Sequence, residues 1–598
     1  MGDETDGSSE ISAMAMAREN ANNFSMELSN AENKYYDTVI EMNRCGDMND
    51  DEYAFIGAGL GGGFTKTQEL KPMKFEEAMA KDPVGWQQSV EDEYLKMKKY
   101  GVFAAKTKDE LPEGAKYVSN TWAMKQKADG SKRARITGRG FEQEDGKHYD
   151  ENDIAAPVVN DMTIKIVFVL MILANWFNQL VDVNGAFLTG QFKNGEVLYT
   201  DVPKGMEHHY PPNVFLLLLA TLYGLKQAAK QYWRELVKCF RSMKYNQSKA
   251  DPCLYYQWKD KGLTLWMSWV DDLHVCGEPN DVRRTKQDMM ARFDCEDVGD
   301  VKEYVGCKID RTANTLKFTQ PVLLQSLSDE FDIPETTTPV KIPMTEGTVL
   351  LPTKEILNPS EQKTYRSGVG KLLHMARWSR PEIFNAVREL SRMGGRAAKA
   401  HMKNMKRVMK YIIDTPNRGY TMFIKGKKWL GDPNYEFVIT GRSDSDYAKD
   451  PETRRSVSGW IAYLCGIPIA WKSKMMPIVA LSVTEAELFA ATSCVQDMLF
   501  AMRILESIGL KVKKPMLLEC DNKGAIDLMD NYTCGGRTRH IEVKQCFIRD
   551  LKEENLIRIE WLPSDMNTSD IFTKNLAGPL FERHASELVG VDEYMIHL

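Results

Sequence analysis

The sequence predicts an α/β protein in which two α/β bodies are joined by a mainly helical connection. Strand and helix patterns alternate over residues 72–318, helical patterns dominate 319–430, and a second alternation covers 431–580. Residues 1–71 are acidic and end in a glycine-rich stretch, which predicts a disordered leader and linker. Residues 581–598 are assigned to a C-terminal tail. The 598 residues, 43% of them hydrophobic, can bury more than one core.

The composition excludes several classes of protein. The 11 cysteines form no C-x-x-C pair and the nine histidines have no zinc-finger spacing, so neither a disulfide framework nor structural zinc is indicated. The longest apolar run, Thr163 to Leu180, contains four polar residues and predicts a core helix rather than a membrane span. The N-terminus has no signal-peptide pattern. We therefore expect no membrane partner and a location in the cytosol or nucleus.

The net charge of −6 is unevenly distributed along the chain. Residues 1–60 have a net charge of −10, which leaves +4 for the rest. Residues 391–410 include seven basic side chains and no acid, which predicts a cationic helix face that could bind phosphate. An ordinary solvated face is an equally good interpretation of this run.

The first α/β body is predicted to begin with a helix and a hairpin. The apolar residues of the helix recur three or four positions apart: Trp86, Val90, Tyr94 and Met97. In residues 115–145, apolar and polar positions alternate around the turn formers Asp129 and Gly130. The second strand of this hairpin is basic, so we expect it to face phosphate.

Three aspartates lie at the ends of predicted strands. Asp182 ends an apolar strand in NQLVDVNGAFLTG, and Asp271 and Asp272 occupy the tip of a predicted hairpin in TLWMSWVDDLHVCG. Neighbouring strands would bring these carboxylates together. Mg²⁺ prefers oxygen ligands, and phosphoryl transfer from a nucleotide uses two divalent cations. We interpret the three as ligands of two Mg²⁺ ions, with Mn²⁺ as the alternative metal; a simple surface turn is the competing interpretation.

A series of motifs follows in order from about Trp86 to Leu576: RARITGRGFEQ, AAPVV, DVNGAFL, LYGLKQAAKQYW, WVDD, YVGCKI and YRSGVGKLLHMARWSRPEI. This series resembles the reverse transcriptases of copia-type long-terminal-repeat retrotransposons. The resemblance implies a right-hand polymerase, with fingers and palm in 72–318 and thumb and connection in 319–430. It also implies residues that contact the primer or the incoming nucleotide: Arg133, Arg135, Phe187, Tyr223, Gly224, Gln227 and Trp269.

The resemblance implies specific roles for some of these residues. Arg133 and Arg135 would hold the triphosphate, because a guanidinium pairs well with phosphate oxygens. Phe187 would be the steric gate that rejects a 2′-hydroxyl, so the product would be DNA. Trp269 occupies a position where the family usually has tyrosine, and the segment before LYGL lacks the family's usual lysine.

The C-terminal body contains acids in separate predicted elements. The helix that follows SVTE has an N-terminal capping box of Ser482 and Glu485. Acids at strand ends and helix starts are common choices for capping and solvation. The order of strands, capped helix and acids is nevertheless similar to a copia-type ribonuclease H domain. This resemblance implies a site that binds two Mg²⁺ ions, with Asp446 as an alternative to the first residue: Asp444, Glu487, Asp521 and Asp570.

We therefore expect an RNA-directed DNA polymerase with ribonuclease H activity. Its partners would be an RNA template, a DNA primer or product, an RNA–DNA hybrid and dNTPs. By the resemblance, it would be located in cytoplasmic virus-like particles and in the nucleus. The alternative hypothesis is a catalytically silent nucleic-acid-binding relic of such an element. The sequence does not indicate an oligomeric state.

Overall fold

The computed structural model describes residues 70, 72–127, 130–192, 196–259, 262–333, 338–432, 434–530 and 539–590, with only the backbone at 539–543. The predicted leader, apart from Leu70, and Asp129 of the predicted turn lie outside the described residues.

The first body combines antiparallel sheets with helices packed on them. Its helices are α1 (Phe75–Lys81), α2 (Pro83–Lys99), α3 (Asp161–Leu173), α4 (Ala228–Ser242) and α5 (Pro279–Met290). Its strands are β1 (Phe103–Thr107), β2 (Asn120–Gln126), β3 (Lys132–Gly138), β4 (Phe177–Val183), β5 (Tyr199–Asp201), β6 (Val214–Leu218), β7 (Asn246–Gln247), β8 (Leu254–Lys259), β9 (Gly262–Trp269), β10 (Asp272–Gly277), β11 (Cys295–Gly299), β12 (Glu303–Tyr304), β13 (Cys307–Arg311) and β14 (Thr315–Thr319). The central sheet has the order β11-β4-β10-β9-β8-β7.

The predicted first helix and hairpin are both present. The side chain of Asp82 caps α2 by accepting a hydrogen bond from the Gly85 amide at 3.0 Å, and Pro83 occupies the first helical position. Trp86 is buried on the inner face of the helix. β2 and β3 pair antiparallel, as the alternation predicts. Lys132 of β3 forms an ion pair with Asp82, which ties the hairpin to the start of α2.

The apolar run Thr163–Leu180 is not the single helix that the sequence predicts. α3 ends at Leu173, Asn175 has φ +50°, and β4 begins at Phe177. Asparagine tolerates this left-handed conformation better than most residues, so the chain can leave the helix there. β4 then pairs with β10 and β11. Both halves of the run are buried, so its hydrophobicity could not separate helix from strand.

A buried lysine on α3 should make stability depend on pH. Lys165 is 4% exposed and lies 5.0 Å and 4.0 Å from the ring centroids of Trp378 and Trp471. Burial lowers the pKa of Lys165 from 10.5 to about 7. Between these values the unfolded chain binds a proton that the folded chain does not, so this residue makes stability rise with pH. Below pH 7 the folded protein holds a charged amine at a cost that the two rings only partly offset.

We expect Lys165→Met to stabilise the protein by roughly 2–4 kcal/mol below pH 7, with the gain shrinking towards pH 10. Thermal unfolding midpoints of both proteins between pH 6 and 10 measure this. A gain that stays constant over that range would contradict the prediction.

Within its described residues the connection contains four α-helices, one short 3-10 helix at Pro381–Ile383 and one strand: α6 (Pro321–Glu330), α7 (Pro359–Trp378), α8 (Phe384–Ser391), α9 (Lys399–Asp414) and β15 (Tyr420–Phe423). β15 pairs with β14 and completes a sheet of order β12-β13-β14-β15. The predicted helical connection therefore also contributes a strand to the end of the first body.

The basic run 391–410 does not form one cationic helix face. α8 ends at Ser391 and α9 begins only at Lys399, so the run is divided between two helices and the segment joining them. Four of its basic side chains form ion pairs with acids of this chain, which reduces the positive charge available to a phosphate: Arg392 with Glu389 and Asp450, Arg396 with Glu452, Lys406 with Asp332, and Lys410 with Asp414.

The second body is built on a mixed sheet of order β19-β18-β17-β21-β22. Its strands are β16 (Glu436–Phe437), β17 (Ile439–Asp446), β18 (Val457–Leu464), β19 (Ile467–Met475), β20 (Lys511–Val512), β21 (Met516–Cys520) and β22 (Ile557–Trp561), and its helices are α10 (Val483–Ser507), α11 (Lys523–Asp530), α12 (Arg539–Glu553) and α13 (Gly578–Val589). β17, β18 and β19 pair antiparallel, whereas β21 pairs parallel to β17 and to β22. The mixed sheet predicted for the second body is thus present.

Helix α10 is the central helix of this body. Its N-cap is Ser482, as predicted, but the side chain of Glu485 accepts from the Leu481 amide rather than closing the box on Ser482. The helix is long and apolar enough to span a membrane by composition, yet 72% of its most apolar window is buried inside the protein. Gly441 of β17 permits this packing, because a Cβ there would lie 2.5 Å from Cys494 Sγ.

Part of the segment assigned to a tail is structured. Residues 581–589 belong to α13, where Phe581, Ala585 and Leu588 are buried. The spacing of these three residues is that of an amphipathic helix, so the end of the described chain packs on the core.

Candidate active sites

The β9–β10 hairpin places two acids beside a third on β4. Trp269 and Asp272 pair across the hairpin, so Val270 and Asp271 form its tip. On the other side of β10, Asp272 is directly opposite Asp182. Directly opposite residues on neighbouring strands project from the same face of a sheet. Asp182 and Asp272 therefore lie side by side with Asp271 next to them. The sequence predicts both Asp271 and Asp272 at the tip, whereas Asp272 is the first paired residue of β10.

Burial and neighbouring negative charges raise the pKa of two of these acids, Asp182 and Asp272. Burial raises the pKa of Asp182, and the charge of Asp271 raises it further. Burial, followed by the charges of Asp271 and Asp182, raises the pKa of Asp272 to about 7. A bound divalent cation would relieve this repulsion, so the residues fit an oxygen-ligand metal site. Among the described residues, however, these three do not have ligand atoms all within 4.8 Å of one another. Their metal-binding role stays a prediction.

The hairpin tip is strained. Val270 has φ +53°, a conformation that is costly for a β-branched residue and is often found at functional sites. Strand pairing on both sides of the tip holds it in place. Trp269, half-buried at the end of β9, packs against the core beside the acid pair. The tip thus presents Asp271 on a rigid support.

Three residues of the predicted nucleotide pocket are grouped near Asp182. The Arg135 guanidinium lies 4.7 Å from the centroid of the Tyr223 ring. Phe187 meets the same ring edge-on, with 5.6 Å between centroids. The positive charge of Arg135 counteracts the rise in the pKa of Asp182. Arg133 is two residues from Arg135 on β3 and therefore projects from the same face of the hairpin.

The remaining pocket residues, Gly224 and Gln227, hold the segment after β6 against β3 and the loop that follows β3. Gly224 has φ +83°, and a Cβ there would lie 2.3 Å from the Gly138 carbonyl oxygen of β3. Gln227 is 2% exposed. Its amide accepts from Gln143 at 3.0 Å and donates to the His148 carbonyl at 3.2 Å. Gln227 therefore supports the adjoining loop, and its contact with a nucleotide stays a prediction.

Gly224→Ala should destabilise the protein by about 1–3 kcal/mol, because the new methyl group meets backbone and the conformation is left-handed. The shift in denaturation midpoint measures the loss. Gly426→Ala is the control, since a Cβ at Gly426 meets no atom within 4 Å. Equal midpoints for the two variants would show that the close approach of Gly224 to the Gly138 carbonyl does not affect stability.

Sequence reasoning missed two charged residues in this region. Lys96 of α2 donates a hydrogen bond to the Tyr223 hydroxyl at 3.4 Å, and burial lowers the pKa of Lys96 while the charge of Asp182 opposes that shift. Glu296 of β11 lies opposite Asp182 on the side away from β10. No local pattern marks either residue, because the contacts join segments that are far apart in the sequence.

The second site lies where strands and a helix start converge. Ligand atoms of Asp444, Asp521 and Asp570 lie within 4.8 Å of one another, and those of Glu487, Cys520 and Asp521 form a second such group. Asp444 is in β17, Asp521 follows β21 and Asp570 lies in the short helix Thr568–Phe572. The four acids predicted for this site are therefore brought together around Asp521.

Glu487 presents an oxygen that has no hydrogen-bond partner. Its Oε1 accepts from the amide and hydroxyl of Ser445 at 3.2 Å and 2.8 Å, whereas Oε2 is buried and unpaired. Burial, and then the charge of Asp444, raises the pKa of Glu487 well above its usual value. An unpaired buried carboxylate oxygen among other acids fits a cation ligand. Asp446, the alternative to Asp444, instead forms an ion pair with Lys449 at 2.7 Å.

Two further residues contact this cluster, and the sequence analysis did not identify them. Lys574 Nζ donates to Asp444 and to Asp570, both at 3.2 Å, and Thr573 also donates to Asp444. Burial alone would lower the pKa of Lys574, but the two carboxylates raise it above its ordinary value. Burial, and then the charge of Asp444, raises the pKa of Asp570 to about 8. The four-residue spacing of Asp570 and Lys574 is the sequence signal from which this contact could have been predicted.

Comparison with known proteins adds an independent finding. Residues 106–346 match the family described as "Reverse transcriptase (RNA-dependent DNA polymerase)". The retrovirus-related Pol polyprotein from transposon TNT 1-94 of Nicotiana tabacum is 30% identical over 497 residues, which cover 81% of this chain and 36% of that protein. The corresponding polyprotein from transposon RE1 of Arabidopsis thaliana is 29% identical, with 80% and 32% covered. This chain thus spans about a third of the length of these relatives.

Among solved structures, the foamy viral protease-reverse transcriptase in complex with RNA/DNA hybrid aligns with 80% of this chain and 54% of its own. The TM-score is 0.44 and the sequence identity 11%. The sequence matches, together with the motifs around Asp182 and Asp271, identify the relationship: residues 106–346 belong to the reverse transcriptase family, and the chain is related to the Pol polyproteins of copia-type retrotransposons.

Proposed function

We propose that this chain is an RNA-directed DNA polymerase with ribonuclease H activity. The observation that carries the proposal is the pairing of Asp182 with Asp272 beside the hairpin tip, near Arg135 and Phe187, which both contact Tyr223. The reverse transcriptase match covers this region. A second, separate acid cluster in a mixed-sheet body supports a nuclease that acts on the template strand.

Each polymerase residue has a role under this proposal. Asp182, Asp271 and Asp272 would hold two Mg²⁺ ions, which supply activation of the primer 3′ oxygen and neutralisation of the triphosphate. Arg135, with Arg133, would bind phosphate oxygens of the incoming dNTP. Because the Arg135 guanidinium also lies over the Tyr223 ring, its orientation is restricted before the nucleotide arrives.

The nuclease residues would act on an RNA–DNA hybrid. Asp444, Glu487, Asp521 and Asp570 would hold the divalent cations, which supply activation of water at the phosphodiester. Lys574 would limit the repulsion between Asp444 and Asp570 before the divalent cations bind. We propose that the enzyme works in cytoplasmic particles and in the nucleus of its host.

Extension of a DNA primer on an RNA template with Mg²⁺ tests the polymerase proposal. The parent should extend the primer, and Asp271→Asn should not. Asp310→Asn, the same change at an exposed site on β13, is the matched control and should behave as the parent does. Equal, negligible synthesis by all three proteins would instead support a silent nucleic-acid-binding relic.

Phe187→Ala should increase the use of ribonucleotides. The Phe187 ring packs edge-on against Tyr223 and Tyr232, so its position under the sugar would be fixed. Removing a steric contact of this kind changes selectivity by about 10–200-fold. The ratio of kcat/KM for a dNTP and the matching rNTP measures the effect. An unchanged ratio would remove Phe187 from the sugar pocket.

A further inference from the structure

A cluster of two histidines and one glutamate lies on the first body, apart from both acid sites. His208 and His209 belong to the short helix Glu207–His209, and Glu91 belongs to α2. The His208 Nε2 atom lies 3.1 Å from Glu91 Oε1, and the His209 Nε2 atom lies 2.7 Å from Glu91 Oε2. One ligand atom from each residue can be chosen so that all three lie within 4.8 Å of one another.

We propose that Glu91, His208 and His209 bind a Zn²⁺ ion. Two imidazole nitrogens and one carboxylate are a ligand set that zinc accepts, with water completing a tetrahedron. Tetrahedral ligands about 2.1 Å from the metal are separated by about 3.4 Å. The nitrogen–oxygen distances here, 3.1 Å and 2.7 Å, are shorter, so the ion requires a small outward movement. The exposed His208 side chain and the partly buried His209 and Glu91 side chains would make this movement.

Neighbouring residues hold two of the ligands in place. The His209 ring stacks on Tyr94 with 3.5 Å between centroids and 4° between planes. Gln87 donates to Glu91 Oε1 at 3.2 Å. Second contacts of this kind orient metal ligands and strengthen binding. The His208 side chain is 56% exposed, which leaves solvent access for a water ligand.

A double ion pair is the simpler interpretation of the same contacts, but it has an electrostatic cost. The centroids of the His208 and His209 rings are 3.9 Å apart, so two imidazolium ions here would repel each other. A divalent cation bound by the unprotonated Nε2 atoms of the two rings would remove that repulsion and pair with the Glu91 carboxylate.

A zinc ion at this position would connect α2 to the segment after β5. α2 also contacts the segments after β6 and before β11, because Lys96 contacts Tyr223 and Lys99 forms an ion pair with Asp294. The site would therefore stabilise α2 against these segments, and this role is independent of polymerase activity.

Zinc titration of the full chain tests the proposal. The protein is first treated with a chelator, then titrated by calorimetry in excess Mg²⁺, which competes for the carboxylate sites. The parent should bind one more equivalent of Zn²⁺ than the His208→Gln/His209→Gln double variant does. Zn²⁺ should also raise the thermal midpoint of the parent but not that of the double variant, and Co²⁺ should give a tetrahedral absorption spectrum only with the parent.

Glu113→Gln is the matched control for Glu91→Gln, because Glu113 is an exposed acid of the same body. We expect zinc affinity to fall more than about tenfold in Glu91→Gln and in the single variant His208→Gln, and to stay unchanged in the control. The exposed His208 can be replaced without disturbing the core, so loss of folding does not obscure the result. Equal stoichiometry and equal affinity in parent, double and single variants would overturn the proposal.

Discussion

Asp182→Asn is expected to reduce DNA synthesis by about 10³-fold or more, because it removes a metal ligand worth several kcal/mol in the transition state. The fold should survive the change. Asn has the same shape as Asp, and it removes a buried charge whose pKa is already raised by burial and by Asp271. The thermal midpoint of the variant should therefore equal or exceed that of the parent.

Primer extension on an RNA template, measured in single turnover, gives the size of the loss. Cleavage of a labelled RNA–DNA hybrid by the same preparation should be unchanged, since the second acid cluster is in another body. A variant that retained more than about a tenth of parental synthesis would exclude Asp182 as a ligand shared by both ions.

Glu487→Gln is expected to abolish hybrid cleavage, again by about 10³-fold, while sparing synthesis. Glutamine can still accept the two hydrogen bonds from Ser445, so the start of α10 should keep its place. The unpaired Oε2, however, would become an amide NH₂ group, which cannot bind a cation. The change thus removes one ligand atom with little effect on packing.

The control for this variant lies on the same helix. Glu506 is near the end of α10 and forms a surface ion pair with Lys514, so Glu506→Gln should cleave hybrid as the parent does. Cleavage is followed with a labelled RNA strand, and synthesis is measured on the same sample. Parental cleavage by Glu487→Gln would remove Glu487 from the site, whatever the polymerase does.

Features that depend on neighbouring residues could be predicted from the sequence. The apolar spacing of α2, the N-cap at Ser482 and the existence of a hairpin at Asp271 all follow from contacts a few residues apart, although the structure places its tip at Val270–Asp271 rather than at the predicted Asp271–Asp272. The placement of acids at strand ends is local in the same sense, and Asp182 and Asp444 were identified from it. The family motifs then supplied the reason to expect that these acids converge.

Contacts between distant segments could be decided only by the tertiary structure. α3 ends at Leu173 because β4 is paired on both edges, and hydrophobicity does not distinguish a buried helix from a buried strand. Four of the seven basic side chains in the run 391–410 form ion pairs with acids, and two of those acids, Asp450 and Glu452, are in the second body.

The difference between local and long-range contacts also explains why the charged residues near the two acid sites could not be predicted. By itself, the sequence determined many of the local elements and the acids near their ends, such as α2, the β2–β3 hairpin and the start of α10, since propensity, capping and turn geometry act over a few residues. The positions of Lys96 beside Tyr223, of Lys574 between two acids and of His209 beside Glu91 needed the folded chain. Electrostatic and metal-ligand contacts depend on distance in space, and the tertiary packing of the helices and sheets sets that distance.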